Sequence, residues 1–265
     1  VDKPTERNQS ERDFRFRVVE EDDTKHAAAD LMVRRRNSLD YVFDFSFLES
    51  FRSEIINGVR LTVMLTVVSI LPGFALGTAC AVGRLYGPRW LQTVITIYIE
   101  AIRNTPLIIQ VFWLFFGLTV LGARIGPFNA AVIALVINTG AYSAEIMRAG
   151  FQAIPKGQLE AANCLAMTRR QIFWNIQLPQ AAELVYPALV SQFILMMLAT
   201  SIMSQISVEE LTGVGYQVQS ITFRGFDVYL VIAVLYLALA TMLRLCLHGA
   251  AQLAFTRLRK LRTPL

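Results

Sequence analysis

Hydrophobic positions along this chain come in long blocks, and polar residues collect between them. Residues 61–83 carry no charge for 23 positions, enough to cross a hydrocarbon core of about 30 Å at about 1.5 Å per helical residue. Arg84 and Arg89 close this first predicted span. The second block, residues 90–122, is interrupted by Glu100, Arg103 and Pro106. It exceeds one perpendicular crossing, so it is expected to tilt or to protrude at its Trp90 end. Glu100 and Arg103 are expected to pair on one face, and Pro106 to kink the helix. Residues 128–144 are uncharged for 17 positions and extend past Glu145 toward Phe151; residues 184–208 are uncharged for 25. Residues 228–243 form a fifth block, ended by Arg244 and a basic tail of Arg257, Arg259, Lys260 and Arg262. The pattern predicts an all-α fold: a polytopic membrane bundle of five transmembrane helices with its termini on opposite sides.

Ahead of the blocks, residues 1–38 are charge-rich and lack an apolar period, which predicts a mobile tail. It is either a plain solvated leader or, through Arg34, Arg35 and Arg36, a contact for lipid headgroups. Residues 39–51 interleave aromatics with acids, as an interfacial helix does. The expected organisation is a polar leader with this interfacial segment over residues 1–54, and a transmembrane domain over residues 55–260. The first 30 residues contain no apolar h-region, so the first span is expected to serve as an uncleaved anchor.

The most informative polar stretch is the connector between spans three and four, residues 153–179. Ile154-Pro155 should end the third span, because a residue before proline is pushed out of the α region. A helix can restart after Gly157, with Glu160 in its first turn, where negative charge suits the macrodipole. Leu159, Ala162 and Ala166 fall at i, i+3, i+7 and make a narrow face of small residues open to a partner. Thr168 and Gln171 then form a Thr-x-x-Gln capping box flanked by Met167 and Ile172, marking a second start. Ala166 stands where a helix end favours left-handed glycine. Leu178-Pro179 is expected to terminate the second helix. By its chemistry alone the connector is either an amphipathic segment resting at the interface or a docking element.

Composition narrows the classes. Of the residues 54% are hydrophobic and 17% charged, well off the balance of a soluble domain. Residues 1–54 hold 10 Lys/Arg against 13 Asp/Glu, and the rest of the chain 15 against 7, so the basic excess belongs to the membrane body. Loop asymmetry explains it without nucleic acid. Arg84, Arg89, Arg148, Lys156, Arg169, Arg170, Arg244 and the basic tail lie on one side, against Arg60, Arg124 and Arg224 on the other. The positive-inside rule puts the connector and C-terminus in the cytoplasm and the N-terminus outside, although the ten basic residues of the leader would then be exported. Cys80, Cys164 and Cys246 are odd in number and widely spaced, and are read as core residues. Neither His26 nor His248 belongs to a metal-binding pattern.

The connector resembles the cytoplasmic loop of permease subunits of ATP-binding cassette importers. Glu160, Ala161, Ala162, Ile176, Leu178 and Pro179 match that loop at its spacing, with Ala166 at its glycine position. Similarity continues through RNTPLIIQVFWLFFGL from Arg103, NTGAYSAEIMRAGFQAIPKGQLEAA from Asn138, LPQAAELVYPAL from Leu178 and TSIMSQISVEEL from Thr200, and looks like the polar amino acid branch. The resemblance implies a coupling helix between spans three and four, with Gly157, Leu159, Glu160, Ala161, Ala162, Ala166 and Met167 docking on an ATPase subunit. It implies a second, paralogous permease, two ATPases carrying ATP and Mg, and a periplasmic or extracellular amino-acid-binding protein, in the cytoplasmic (inner) membrane. No GxxxxGK[ST] loop occurs in the chain, so nucleotide belongs to another polypeptide, and this subunit is not itself an enzyme.

Asn138, Thr139, Tyr142, Gln192, Met196, Thr200, Ser201 and Ser204 are polar or adaptable groups inside otherwise apolar spans. They either line a substrate pathway or bond their own helices and neighbours. Glu145 is expected to pair with Arg148. Glu209 and Glu210 face the outer side, there to meet the binding protein or simply to be solvated. Family members often carry Lys-Asp where this chain has Leu198-Ala199, which implies that this subunit contributes little ionic anchoring. The competing reading is a secondary transporter or channel without an ATPase, resting on the Glu100–Arg103 pair. An intramembrane enzyme lacks a nucleophile–base pair near His248.

Overall fold

In the computed structural model, residues 42–254 are described; the leader to residue 41, with Arg34, Arg35 and Arg36, and the basic tail from Arg257 lie outside them. The chain divides into two units, residues 1–45 and 46–265. In the first, residues 42–45 carry no regular structure. The described part of the second is helical wherever it is regular. The expected interfacial helix is reduced there to one turn, α1 (Phe47–Ser50), whose Phe47 is buried among Leu211, Val214 and Val218.

The first span is longer than its apolar run. Helix α2 (Arg52–Tyr86) has 35 residues, because its polar N-terminal part is amphipathic and lays Phe51, Ile55 and Val59 on the same cluster. Pro72 is accommodated inside it.

The second block is not one tilted helix. It is broken into α3 (Arg89–Arg103) and α4 (Leu107–Val120), which meet at 107°. Pro106 lacks an N–H and holds Thr105 out of the helical region, and side chains take over the freed carbonyls. Gln110 Nε2 donates to Ile102 O at 2.7 Å and to Thr105 O at 3.0 Å. Asn138 in turn donates to Gln110 Oε1 at 3.1 Å, and Tyr98 to Ile137 O at 2.6 Å. The expected Glu100–Arg103 pair does not form. Glu100 accepts from Asn104 at 2.9 Å, and Arg103 lies 5.5 Å over the Tyr142 ring, because the helix ends at Arg103 and frees both side chains to turn to nearer partners.

Helix α5 (Pro127–Gln152) is the most enclosed element and packs on α2, α3, α4 and the long helix that begins at Leu178. After it come α6 (Lys156–Cys164) and α7 (Arg169–Ile172). The helix started at Arg169 does not stop at Leu178-Pro179 as expected. It passes through a π-helical stretch, Phe173–Gln177, into α8 (Leu178–Ala199), and ends in a 3₁₀ stretch, Thr200–Ile206. The wider π turn makes room for a proline ring and its missing N–H, which an α turn cannot absorb.

A 12-residue helix unforeseen in the sequence, α9 (Leu211–Thr222), precedes α10 (Gly225–Ala254). The last helix continues past Arg244, which does not mark its end. Among the described residues four helices are long and apolar enough to cross a membrane, and the bent α3–α4 pair makes five if it is one span. Hydrogen bonds sort their ends. Gln177 reaches Tyr86 at 2.8 Å at one end, and Leu211 N reaches Thr62 Oγ1 at 3.1 Å at the other.

Candidate functional site

The connector is built from local signals. Helix α5 stops at Gln152, with Ala153 as C-cap, and Pro155 in extended conformation is the N-cap of α6. The restart at Lys156 leaves Glu160 one position beyond the first turn. Helix α6 closes with Ala166 at φ 55°: Met167 N donates back to Ala162 O at 3.2 Å and Ala166 N to Asn163 O at 2.9 Å. This paired closure satisfies two terminal carbonyls and needs a left-handed residue at its centre, so alanine there is strained by about 1 kcal/mol. Thr168 begins α7 as N-cap; its backbone N–H donates to Gln171 Oε1 at 2.8 Å and its hydroxyl accepts from Gln171 N at 3.4 Å, which is the capping box.

The face that α6 turns outward differs from the one expected. Ala162 is buried, and Leu159 and Met167 are half-buried; Leu159 packs against the cluster of Met147, Phe151 and Ile154. Gly157, Glu160, Ala161 and Ala166 are exposed, and with them Cys164 and Leu165, the latter at 77%. At 100° per residue, Gly157, Glu160, Ala161, Cys164 and Leu165 share one face. The inward pair was mistaken for the open face because sequence spacing fixes a face but not its direction. Leu165, the most exposed apolar group of the connector, was missed for the same reason. Two cysteines read as core are not: Cys164 and Cys246 are exposed, and Cys80 is half-buried.

Polar bonds tie the ends of α2 and α5 together just ahead of the connector. Glu145 bridges Arg84 of α2 and Arg148 of its own helix, the latter at 2.7 Å, and Arg148 Nη1 donates to Gln152 Oε1 at 2.6 Å. The Glu145–Arg148 pair was expected; Arg84, far away in sequence, was not.

The residues read as pathway candidates do not form one cluster. Asn138 holds the α3–α4 corner through Gln110, and Tyr142 sits beneath Arg103. Thr139 is fully buried against Gly73, where an added Cβ would lie 2.6 Å from its own. Met196 belongs to an apolar cluster with Leu65 and Met203. Thr200, Ser201 and Ser204 each donate to the carbonyl three residues back, at 2.6, 2.7 and 2.8 Å. Gln192 is half-buried on α8. Of the two acids expected on the outer side only Glu209 is exposed. Glu210 is wholly buried as the N-cap of α9, accepting from Thr212 N at 3.0 Å and Gly213 N at 2.9 Å, so it is no docking group. An acid directly before Leu-Thr-Gly could have flagged this cap.

Comparison with known proteins bears on all these elements. The profile of the family described as "Binding-protein-dependent transport system inner membrane component" matches residues 73–257. The chain is 36% identical over 204 residues to the L-cystine transport system permease protein of Bacillus subtilis (strain 168), covering 76% of this chain and 86% of that protein. It is 33% identical over 208 residues to the glutamine transport system permease protein of Escherichia coli (strain K12), covering 78% and 95%. Among solved structures it is similar to a chain of "an amino acid ABC transporter with histidines", with TM-score 0.73 and 34% identity over 80% of this chain and 99% of that one.

Proposed function

The chain belongs to the family of binding-protein-dependent transport system inner membrane components, and from that premise we propose that it carries polar amino acids inward by alternating access. It is the multi-pass permease subunit of an ATP-binding cassette importer. The relatives named above are permeases for L-cystine and glutamine, which supports an amino acid as cargo. The partners are a second, paralogous permease, two ATPase subunits holding ATP and Mg, and a binding protein that delivers the amino acid from outside. The N-terminus lies outside and the C-terminus and connector in the cytoplasm, as the distribution of Arg and Lys favours. The secondary-transporter reading loses its one support, since Glu100 and Arg103 do not pair.

The observation that carries the coupling role is the outward face of α6: an exposed strip of small and apolar groups around Glu160, on a helix bounded by Pro155 and the left-handed Ala166. Closure of the ATPases would press on this face, and the Arg84–Glu145–Arg148 brace would pass the movement to α2 and α5. Within the docking set, Gly157, Glu160, Ala161 and Ala166 meet the ATPase, while Leu159, Ala162 and Met167 hold α6 to the bundle. Asn138, Thr139 and Tyr142 are assigned to holding the bundle, and Gln192 is kept as a pathway candidate. With Leu198 and Ala199 in place of a charged pair, ionic anchoring of the substrate falls to the second permease; a ligand held solely by charges of this subunit would refute this.

Two outcomes test the connector. Ala161→Arg is expected to lower substrate-stimulated ATP hydrolysis of the purified complex about tenfold or more, as for a central interface position, with the melting temperature of the permease unchanged; full coupling in that variant would overturn the assignment. Ala166→Gly relieves the left-handed strain, and is expected to stabilise the connector by about 1 kcal/mol with transport retained. Loss of coupled ATPase activity in the glycine variant would show that the strain itself is used.

A further inference from the structure

A groove runs between the end of α2 and the connector, and the transport cycle gives it no task. Its volume is about 420 Å³. Its apolar lining is Val82 of α2 with Leu159 and Ile172 of the connector, buried or half-buried, and Arg169 and Arg170 line it at the exposed surface. Both arginines are exposed, and neither is paired with a carboxylate among the described residues. Trp174 lies beside them, 62% exposed and edge-to-face with Phe173 at 5.3 Å. The Gln177–Tyr86 hydrogen bond, 2.8 Å, ties the two sides together.

Depth and charge together define what fits. Val82 belongs to the uncharged run of the first span, whereas Tyr86, between Arg84 and Arg89, stands where that run ends. The groove therefore starts at acyl-chain level and opens at the headgroup level, where tyrosine and tryptophan are characteristic. A soluble anion would gain nothing from the apolar wall, and a neutral lipid nothing from two unpaired guanidinium groups. Arginine binds phosphate through paired N–H donors, and basic pockets at the cytoplasmic ends of spans attract anionic lipid.

We propose that this groove holds one anionic phospholipid, its phosphate between Arg169 and Arg170 and an acyl chain along Val82 and Ile172. The site is independent of which amino acid is carried. It would moor the start of α7 to the bilayer and so fix the level at which α6 presents its outward face.

The test uses the whole importer complex, purified from membranes and exchanged into nanodiscs of phosphatidylcholine alone or mixed with phosphatidylglycerol. Retained lipid is counted by native mass spectrometry. The complex is expected to keep phosphatidylglycerol in preference to phosphatidylcholine, and Arg169→Gln/Arg170→Gln to lower that retention about thirtyfold, the order expected when two interfacial charges are lost. Val82→Trp fills the apolar end with the charges intact and should lower it as well, with the ATPase still bound. Equal phosphatidylglycerol retention in parent and variants would overturn the proposal. So would loss of the ATPase from the double glutamine variant with lipid unchanged, since the arginines would then belong to a protein contact. Displacement of the lipid by inorganic phosphate would equally overturn it, as the apolar wall would then play no part.

Discussion

Gly77→Val is expected to leave little folded protein in the membrane. Helices α2 and α5 cross so closely that a Cβ at Gly77 would stand 2.6 Å from Ser143 Cβ, 2.7 Å from Gly140 O and 2.9 Å from Ala144 N. Two of these three atoms are backbone and cannot rotate away. One turn earlier, a Cβ at Gly73 would meet Thr139 Cβ at 2.6 Å, so the crossing is tight over two turns. Lipid-solvated helices gain little from apolar burial against one another, and close packing of small residues is what holds such pairs. Overfilling a packed contact costs about 1–3 kcal/mol and more where the backbone must move; with α5 touching most of the bundle, the upper end applies. Ser69, Thr139 and Ser143 have buried hydroxyls without a hydrogen-bond partner, so close fit and not hydrogen bonding by these groups holds the crossing. The check is the yield and melting temperature of the detergent-purified protein. Gly249→Val is the control, since nothing lies within 4 Å of a Cβ there, and it should leave both unchanged. A Gly77→Val protein that melts like the parent would show that α2 and α5 do not cross here.

The spans were legible because a charge-free run longer than the bilayer is thick has few other uses. The connector was legible because its signals are local: Pro155, the Thr168–Gln171 box and the residue at 166 act within one turn. What stayed hidden depends on partners distant in sequence. The α3–α4 corner needs Gln110 and Asn138, 28 positions apart, to turn a proline kink into a right angle. Gly73 and Gly77 stand four apart and spell a small-residue motif that was there to be read, but the helix they meet was not. The three hydroxyls of Thr200, Ser201 and Ser204 were read as open to either role; a 3₁₀ stretch brings each within reach of the carbonyl three residues back, and they bond their own backbone. Likewise Pro179 reads as a stop, yet a π turn lets the helix continue.

The end of the bundle opposite the connector turns on one buried carboxylate, and its removal should be nearly as costly as overfilling the α2–α5 crossing. Glu210 caps α9 by accepting from two backbone N–H groups, and Tyr236 Oη donates to it at 2.6 Å. Thr62 Oγ1, which accepts from Leu211 N at 3.1 Å, completes the surround, so one side chain joins α2, α9 and α10. Glu210→Ala removes a helix cap with its two amide contacts, about 1 kcal/mol, and leaves the half-buried Tyr236 phenol with only Thr212 Oγ1 at 3.0 Å, about 1–2 kcal/mol more; a loss of about 2–3 kcal/mol is expected in the detergent-solubilised protein. The pH dependence comes from burial, which outweighs the donors and raises the carboxyl above its ordinary value. A raised acid means that the folded state holds the proton more tightly than the unfolded one. Stability therefore falls as pH rises from the ordinary carboxylate value through the raised one. Glu210→Gln keeps the shape and, with Oε1 toward Thr212 N and Tyr236 Oη, those two contacts; it gives up the Gly213 contact and cannot ionise. It should lose less than the alanine variant, and its melting temperature should lack that part of the decline above the ordinary carboxylate value. Parallel pH profiles for glutamate and glutamine would show that Glu210 does not titrate in this range, and would leave the cap alone as the source of its effect.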